Sequence, residues 1–549
     1  VLTLNQRLER APEHGHALTF VVGGTPEVVP YGQLHEEARG CAANLQALGV
    51  RPGDHVALLG PTSRPLVTAI QGIWLAGATV VVLPLPMRLS SIEEFVAQTR
   101  SRLLHADVSL VLVDPELAAF VEPVPGDPPM VGWEAVDPAS APARAADWVR
   151  PPDDLERLAI LQFTSGSTSD PKGVMLPHHT VGANLDAISA ATKLDPNHDV
   201  LVSWLPLYHD MGLVGLLTTG LTTGTPLVLG APTDFTSSPG RWMEWISTYR
   251  GTATAGPNFS WVLAARALDR GEPLDLSSLR IALNGAEPVD PATVARFVEA
   301  GARHGLHPGA VFPAFGMAEV AIAGTFPEPM SGLRTDPVDR HVLEAERYAA
   351  PVPADHERAR HLAILGRPVE GLEVRIVDPV TGRELGDRGV GELELRGTSV
   401  TPGYYKRPDA TAEAFHDGWL RTGDLAYLVD GEMVMCGRIK DVIIVGGRNV
   451  FPEDIERALA EVDGVRAGNV IAFGVELHGK EGVVVVAESK ADDLPRLRKT
   501  VAARVRDAVG LPPKDVVLVA PGSLPKTSSG KLQRSLCKLR YLGAELQSA

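Results

Sequence analysis

Cysteine is scarce in this chain of 549 residues: Cys41, Cys436 and Cys537 stand far apart and odd in number. They form no disulfide framework and no closely spaced metal pair, so each reads as a small core residue in a reducing compartment, the cytoplasm. Long apolar runs are missing too. The nearest candidate, Trp74-Leu-Ala-Gly-Ala-Thr-Val-Val-Val-Leu-Pro84, is too short to span a bilayer and reads as a helix end followed by a core strand. No stable membrane insertion is expected. The chain does not open on a charged segment leading into an apolar one, so no secretory leader is expected, and Val1 in place of methionine points to a trimmed or renumbered chain. Positive charge is in deficit: 51 Lys and Arg against 67 Asp and Glu leave a net of −16. That balance excludes non-specific nucleic-acid binding by the whole molecule.

What is present is ample core, 44% hydrophobic residues, in a chain long enough for two to four domains. Up to about residue 360, strand-like runs such as His55–Leu59, Val108–Val113 and Pro226–Gly230 alternate with Ala/Leu-rich stretches such as Gln33–Leu48. That alternation predicts an α/β architecture with largely parallel sheets. The Pro- and Ala-rich stretch Pro123–Pro152 reads as an irregular excursion. From Gly366 to Met435 short strands and turns (Leu372–Val377, Gly391–Arg396, Glu432–Met435) predict a small antiparallel β-rich unit. A boundary falls at Gly437-Arg438-Ile439-Lys440-Asp441, and beyond it an α+β segment is expected, with strands Asn469–Ala472 and Gly482–Glu488 and a helix Leu494–Val509. The basic residues concentrate there: eleven Lys and Arg from Leu494 to Arg540 face only Asp507 and Asp515, a surface suited to an acidic partner.

The most informative stretch is Thr164-Ser165-Gly166-Ser167-Thr168-Ser169-Asp170-Pro171-Lys172-Gly173, which follows the apolar run Leu158–Phe163. Hydroxyls, backbone N–H groups freed by glycine and one ammonium suit the oxygens of a polyphosphate. It is not the G-x-x-x-x-G-K-[ST] loop of common nucleotidases. Further islands follow: Trp204-Leu-Pro-Leu-Tyr208-His209-Asp210-Met-Gly212; Ala255-Gly-Pro-Asn258-Phe259; Asn284-Gly285-Ala286-Glu287-Pro288; Ala314-Phe315-Gly316-Met317-Ala318-Glu319; Trp419-Leu-Arg421-Thr-Gly423-Asp424; and Leu524-Pro-Lys526-Thr-Ser-Ser-Gly530-Lys531. Taken singly, each key residue has a plainer role: Asp424 a turn aspartate, Glu319 a helix cap, His209 a structural histidine, Lys531 a solvated surface lysine.

In order and spacing, these islands resemble the adenylate-forming superfamily of acyl- and aryl-CoA synthetases, luciferases, peptide-synthetase adenylation domains and fatty acyl-AMP ligases. The resemblance covers essentially the whole chain. It implies a large N-terminal body (1–437) of two stacked α/β sheets plus the β-rich subdomain (about 366–437), a hinge at 438–441 and a small mobile α+β domain (442–549). It also implies a reaction in which a carboxylate attacks the α-phosphorus of ATP to give acyl-AMP and pyrophosphate. By this resemblance Thr164, Ser165, Gly166, Ser167, Thr168 and Lys172 hold the β- and γ-phosphates, and Glu319 ligates Mg²⁺. Phe315, Gly316 and Met317 meet the adenine opposite Gly285, Ala286 and Glu287, while Asp424 and Arg438 serve the ribose and phosphate. Lys531 is the catalytic lysine, and His209 the second catalytic residue. Lys440 is the hinge residue. Tyr208, Asn258 and Phe259 line the acyl pocket.

Within the superfamily, the Trp204–Leu213 and Ala255–Phe259 segments and Gly447-Arg448-Asn449-Val-Phe-Pro452-Glu-Asp454-Ile-Glu456 resemble fatty acyl-AMP ligases. So does the polar stretch Thr325–His361, which reads as a surface insertion; in those enzymes it restrains the C-terminal domain and disfavours transfer to CoA. The implied substrate is a medium- or long-chain fatty acid. The implied acceptor is the phosphopantetheine of an acyl carrier protein or of a polyketide- or peptide-synthetase carrier domain. A long-chain fatty acyl-CoA synthetase is the competing reading, and a non-catalytic nucleotide-binding relative a third, against which Lys531, Glu319 and Asp424 argue. Ser169 replaces the glycine usual at its place, a small change.

Overall fold

The computed structural model describes residues 1–86, 92–121, 123–164, 172–445, 448–477, 480–527 and 530–546. Two open sheets dominate. The first has seven strands in the order Val311–Pro313, Ile281–Asn284, Ala253–Gly256, Leu201–Ser203, Leu227–Leu229, Ala17–Phe20, Glu27–Pro30, all parallel except the last pair. The second has six, in the order Met130–Gly132, Val108–Val113, His55–Leu59, Thr79–Val82, Leu158–Phe163, Gly173–Pro177, again with only the last pair antiparallel.

The sequence explains why both sheets are buried. In the second, alternate residues of one strand enter different cores: Val56, Leu58 and Val80 join the cluster shared with the first sheet, and Ala57, Leu59 and Val81 join another on the opposite face. A period of two with both faces apolar is the pattern of a parallel sheet covered by helices. The shared core takes Leu18, Leu201 and Leu227 from the first sheet, Val56, Val80 and Ile160 from the second, and the helices Tyr31–Ala47 and Arg64–Leu75. Ser63 caps the latter helix by accepting from Leu66 N. The fold is the mixed α/β body expected. Pro123–Pro152 is less irregular than expected, because Met130–Gly132 adds an edge strand beside Val108–Val113.

Next comes an antiparallel sheet of five strands, Leu372–Val377, Gly391–Gly397, Trp419–Val429, Phe415–His416 and Glu432–Arg438. The chain then forms Ile443–Val445 with Arg448–Val450, and a sheet of Val465–Leu477, Lys480–Ser489 and Asp515–Val519. Alternation recurs here: Val470, Ala472, Val483 and Val485 face the helices Pro452–Leu459 and Leu494–Val509, while Ile471, Phe473, Val484 and Val486 face the helix Arg534–Leu542.

The polar stretch 325–361 is not an irregular loop. Strand Thr335–Asp339 pairs with Ala359–Ala363 around the helix Arg340–Glu346, and Val338 and Leu343 are buried with Phe451 of the C-terminal part. Its prolines and charges suggested surface, but an apolar residue in each element is enough to seed this small core.

Candidate active site

Four islands follow the carboxyl ends of four neighbouring parallel strands of the first sheet: Trp204–Gly212 after Leu201–Ser203, Pro257–Phe259 after Ala253–Gly256, Gly285–Glu287 after Ile281–Asn284, and Ala314–Glu319 after Val311–Pro313. The crevice beyond such strand ends is where open α/β sheets bind ligands. Thr164 leaves the second sheet from Leu158–Phe163, and its N–H donates to Lys172 O at 3.1 Å, so the two ends of the phosphate-type loop meet. Ser165, Gly166, Ser167 and Thr168 lie outside the described residues. Gln162 Nε2 donates to Tyr208 O at 2.9 Å, tying the second sheet to the His-Asp island.

That island is a tight turn. An added Cβ on Gly212 would lie 2.3 Å from Pro206 O, so only glycine closes it. Beyond it Met211–Thr218 forms a π-helix, an uncommon element found often at functional sites. His209 Nδ1 lies 2.7 Å from Asp210 Oδ1, which also accepts from Met211 N at 2.8 Å. Burial pushes the Asp210 carboxyl up, but His209, Lys531 and the Met211 N–H together hold it below the usual carboxylate range. Tyr208 is half-buried against the shared core, its phenol pushed up to about 12 by burial.

Asn258 Oδ1 accepts from Asn284 Nδ2 and Asp290 N, both at 3.1 Å, joining two strand ends. Glu287 Oε2 accepts from Phe259 N at 3.1 Å, at the start of the helix Asn258–Arg270. Ala286 is held at φ +66°, a left-handed conformation costly for a residue with a Cβ, and such strain gathers at binding sites. Phe315 and Gly316 pair with the strand Ala323–Phe326, Phe315 packing over Gly324. Met317 N donates to Ile322 O at 3.0 Å. Glu319 sits in the following 3₁₀ turn, with Oε1 accepting from the Tyr404 hydroxyl at 2.9 Å.

The remaining groups arrive from the later parts of the chain. Asp424, 3% exposed, accepts from Arg438 Nε at 3.0 Å across the pair Trp419–Val429 and Glu432–Arg438. Burial raises its carboxyl and Arg438 opposes the rise. Lys440 lies in the turn Ile439–Asp441, its ammonium pushed down by burial and by Arg438. Lys531 stands on a hairpin whose Gly530 is so close to Phe259 that an added Cβ would be 3.9 Å from its ring. Burial lowers the Lys531 ammonium, while Asp210 and Glu287 favour its charged form. Among the described residues, no ion pair holds it. The structure therefore gathers Asp210, Glu287, Glu319, Asp424, Arg438 and Lys531 within electrostatic reach of one another.

The sequence reading missed Tyr404. The Pro402-Gly403-Tyr404-Tyr405 run before Pro408 was a turn signal with aromatics attached, and only the fold shows that one of those rings meets Glu319.

A family described as AMP-binding enzyme matches residues 6–405. The chain belongs to that family. This AMP-binding enzyme is 40% identical to Rv1013 of Mycobacterium tuberculosis, provisionally named a ligase, over 94% of its own length and 96% of that protein. It is 34% identical to JamA of Moorena producens, named a medium-chain-fatty-acid–[acyl-carrier-protein] ligase, over 96% and 93%. A solved structure from studies of fatty acyl-adenylate ligases of E. coli and L. pneumophila superposes with a TM-score of 0.92 at 31% identity, covering 99% of this chain and 98% of that one. Among the described residues of the enzyme, no helix is long and apolar enough to cross a membrane.

Proposed function

We propose that this chain is a fatty acyl-AMP ligase: it activates a medium- or long-chain fatty acid with ATP and passes the acyl group to the phosphopantetheine of a carrier protein. One observation carries the reading. A half-buried lysine from the far end of the chain comes within electrostatic reach of Asp210 and Glu287 in a carboxylate-lined crevice at the strand ends, where a reaction between two anions most needs positive charge. A carboxylate oxygen of the fatty acid attacks the α-phosphorus, the bond to the bridging oxygen of the β-phosphate breaks, and pyrophosphate leaves. Lys531 bridges the attacking carboxylate and the α-phosphate, and His209, fixed by Asp210, lies beside them. Asp424 takes the ribose hydroxyls and Arg438 the ribose or phosphate. Phe315, Gly316 and Met317 enclose the adenine against Gly285, Ala286 and Glu287. Tyr208, Asn258 and Phe259 border the acyl chain. Thr164, Lys172 and the loop between them hold the β- and γ-phosphates.

Mg²⁺ suits the donor set around Glu319. Burial and the charge of Asp210 push that carboxyl above its ordinary range, against the Tyr404 hydroxyl and Arg438, so a hard dication on its oxygen would relieve both. When bound there, it would neutralise charge on the phosphate oxygens.

The acceptor is argued from the 325–361 insertion. Arg448 donates to Glu344, which is fully buried, and to Val509 O at 3.0 Å; Asn449 Nδ2 donates to Glu344 O at 2.8 Å; Arg340 donates to Ala508 O. On the other flank Arg360 donates to Asp454 at 2.8 Å and to Cys436 O at 3.2 Å. We divide the chain at 438–441, with Lys440 as hinge, and read these contacts as a clasp that keeps 442–549 in the adenylating orientation and disfavours CoA. The cytoplasm, which supplies ATP and keeps thiols reduced, is the compartment that suits the three unbridged cysteines.

The test is direct: incubate the enzyme with fatty acid, ATP and Mg²⁺, then offer CoA or a holo-carrier protein. Acyl-AMP that persists with CoA but is consumed by the carrier is expected; efficient acyl-CoA formation would make it a CoA synthetase instead.

A further inference from the structure

Tyr404 touches two charged groups of the site at once. Its hydroxyl donates to Glu319 Oε1 at 2.9 Å, and Lys172 Nζ lies 4.7 Å from the centroid of its ring. An ammonium over an aromatic face is held by the ring's quadrupole, and a phenol donating to a carboxylate fixes that carboxylate's rotation. The segment carrying Tyr404 is itself tied to both neighbours. Thr401 N donates to the backbone oxygen of Glu319 at 2.7 Å. Tyr405 N donates to Gly173 O at 2.8 Å and Met175 N to Gly403 O at 3.1 Å, which sews the segment to the strand leaving the phosphate-type loop. Tyr404 N donates to Thr411 Oγ1 at 3.0 Å. Gly403 permits this close approach, since an added Cβ would lie 2.5 Å from the Thr411 methyl. A surface tyrosine would need none of this.

We infer that Tyr404 is a positioning residue that sets the Glu319 carboxylate and the Lys172 ammonium at a fixed spacing, so that a divalent cation and the β- and γ-phosphates of ATP are bound as one unit. The inference rests on the roles proposed above for Glu319 and Lys172. Its two contacts are separable. Tyr404→Phe keeps the ring under Lys172 and removes only the hydroxyl on Glu319, while Tyr404→Leu removes both.

The experiment compares these variants and Glu319→Gln with the full-length enzyme in three measurements: pyrophosphate release against Mg²⁺ concentration, calorimetric ATP binding without metal, and the thermal unfolding midpoint. Tyr404→Phe is expected to unfold as wild type, to bind metal-free ATP as wild type, and to need about tenfold more Mg²⁺ for half-maximal rate, the worth of one hydrogen bond to a charged group. Tyr404→Leu is expected also to weaken metal-free ATP binding, about threefold. Wild-type Mg²⁺ dependence in Tyr404→Phe, with Glu319→Gln inactive, overturns the positioning role and leaves the site assignment standing. Full activity in Glu319→Gln instead removes the metal role of Glu319, and this inference with it.

Discussion

Beside the bridge between Lys526 and Leu532, Lys531 is set by one neighbour. Thr527 N donates to Lys531 O at 2.8 Å and Thr527 Oγ1 accepts from Lys531 N at 3.1 Å. Backbone placement of this kind leaves the long side chain as the only variable part, so truncating it tests chemistry rather than fold. Burial already makes the ammonium less basic, and Asp210 and Glu287 keep its charged form favoured; both carboxylates lose that partner in Lys531→Ala. This variant is expected to bind ATP as wild type and to form acyl-AMP about 10²–10³-fold more slowly, the usual cost of losing one aimed donor. Undiminished pyrophosphate release would remove Lys531 from the reaction. The motif around it was legible in the sequence, but its plainer reading as a solvated surface lysine falls only when the fold half-buries it within electrostatic reach of Asp210 and Glu287.

Among the elements, the helix Arg340–Glu346 bears most directly on the choice of acceptor. It lies in a stretch whose composition gave no sign of a core, yet Glu344 is fully buried with Arg448 as its partner and Leu343 packs into the cluster that holds Phe451. Arg448→Ala leaves that carboxylate without its cation, a change expected to cost about 3 kcal/mol locally. The helices Pro452–Leu459 and Leu494–Val509 should then exchange amide hydrogens faster, acyl-AMP formation should slow, and CoA-dependent release of AMP should rise. If exchange is unchanged and CoA remains excluded, the clasp is not what selects the acceptor. The strand Leu372–Val377 and the amphipathic helix Leu494–Val509 keep in the structure the bounds read from the sequence. Their periodicity is local information. The edge strand Met130–Gly132 and the burial of Glu344 against Arg448 were not legible, because each depends on a partner remote in sequence.

For the whole molecule the decisive property is uneven charge. A net of −16 should repel an acidic carrier protein, so docking needs a local exception, and the helix Leu494–Val509 provides one. Leu497, Val501, Val505 and Val509 bury its inner face, which turns Arg496, Arg498, Lys499 and Arg506 outward and exposed. Arg504 is occupied by Ala458 O and Glu461. Among the described residues, no ion pair engages Arg498 or Lys499, so their charge is available to a partner. Exposed charges of this kind act mainly on encounter, over about 10 Å at 0.1 M salt. Reversing both, Arg498→Glu with Lys499→Glu, should therefore slow acyl transfer to an acidic carrier about tenfold at low salt while leaving acyl-AMP formation unchanged, because neither is among the main charges acting on Asp210, Glu287, Glu319 or Lys531. Raising the salt should slow transfer by the wild-type enzyme but not by the variant. Equal transfer rates at low salt would move the docking surface elsewhere on the molecule.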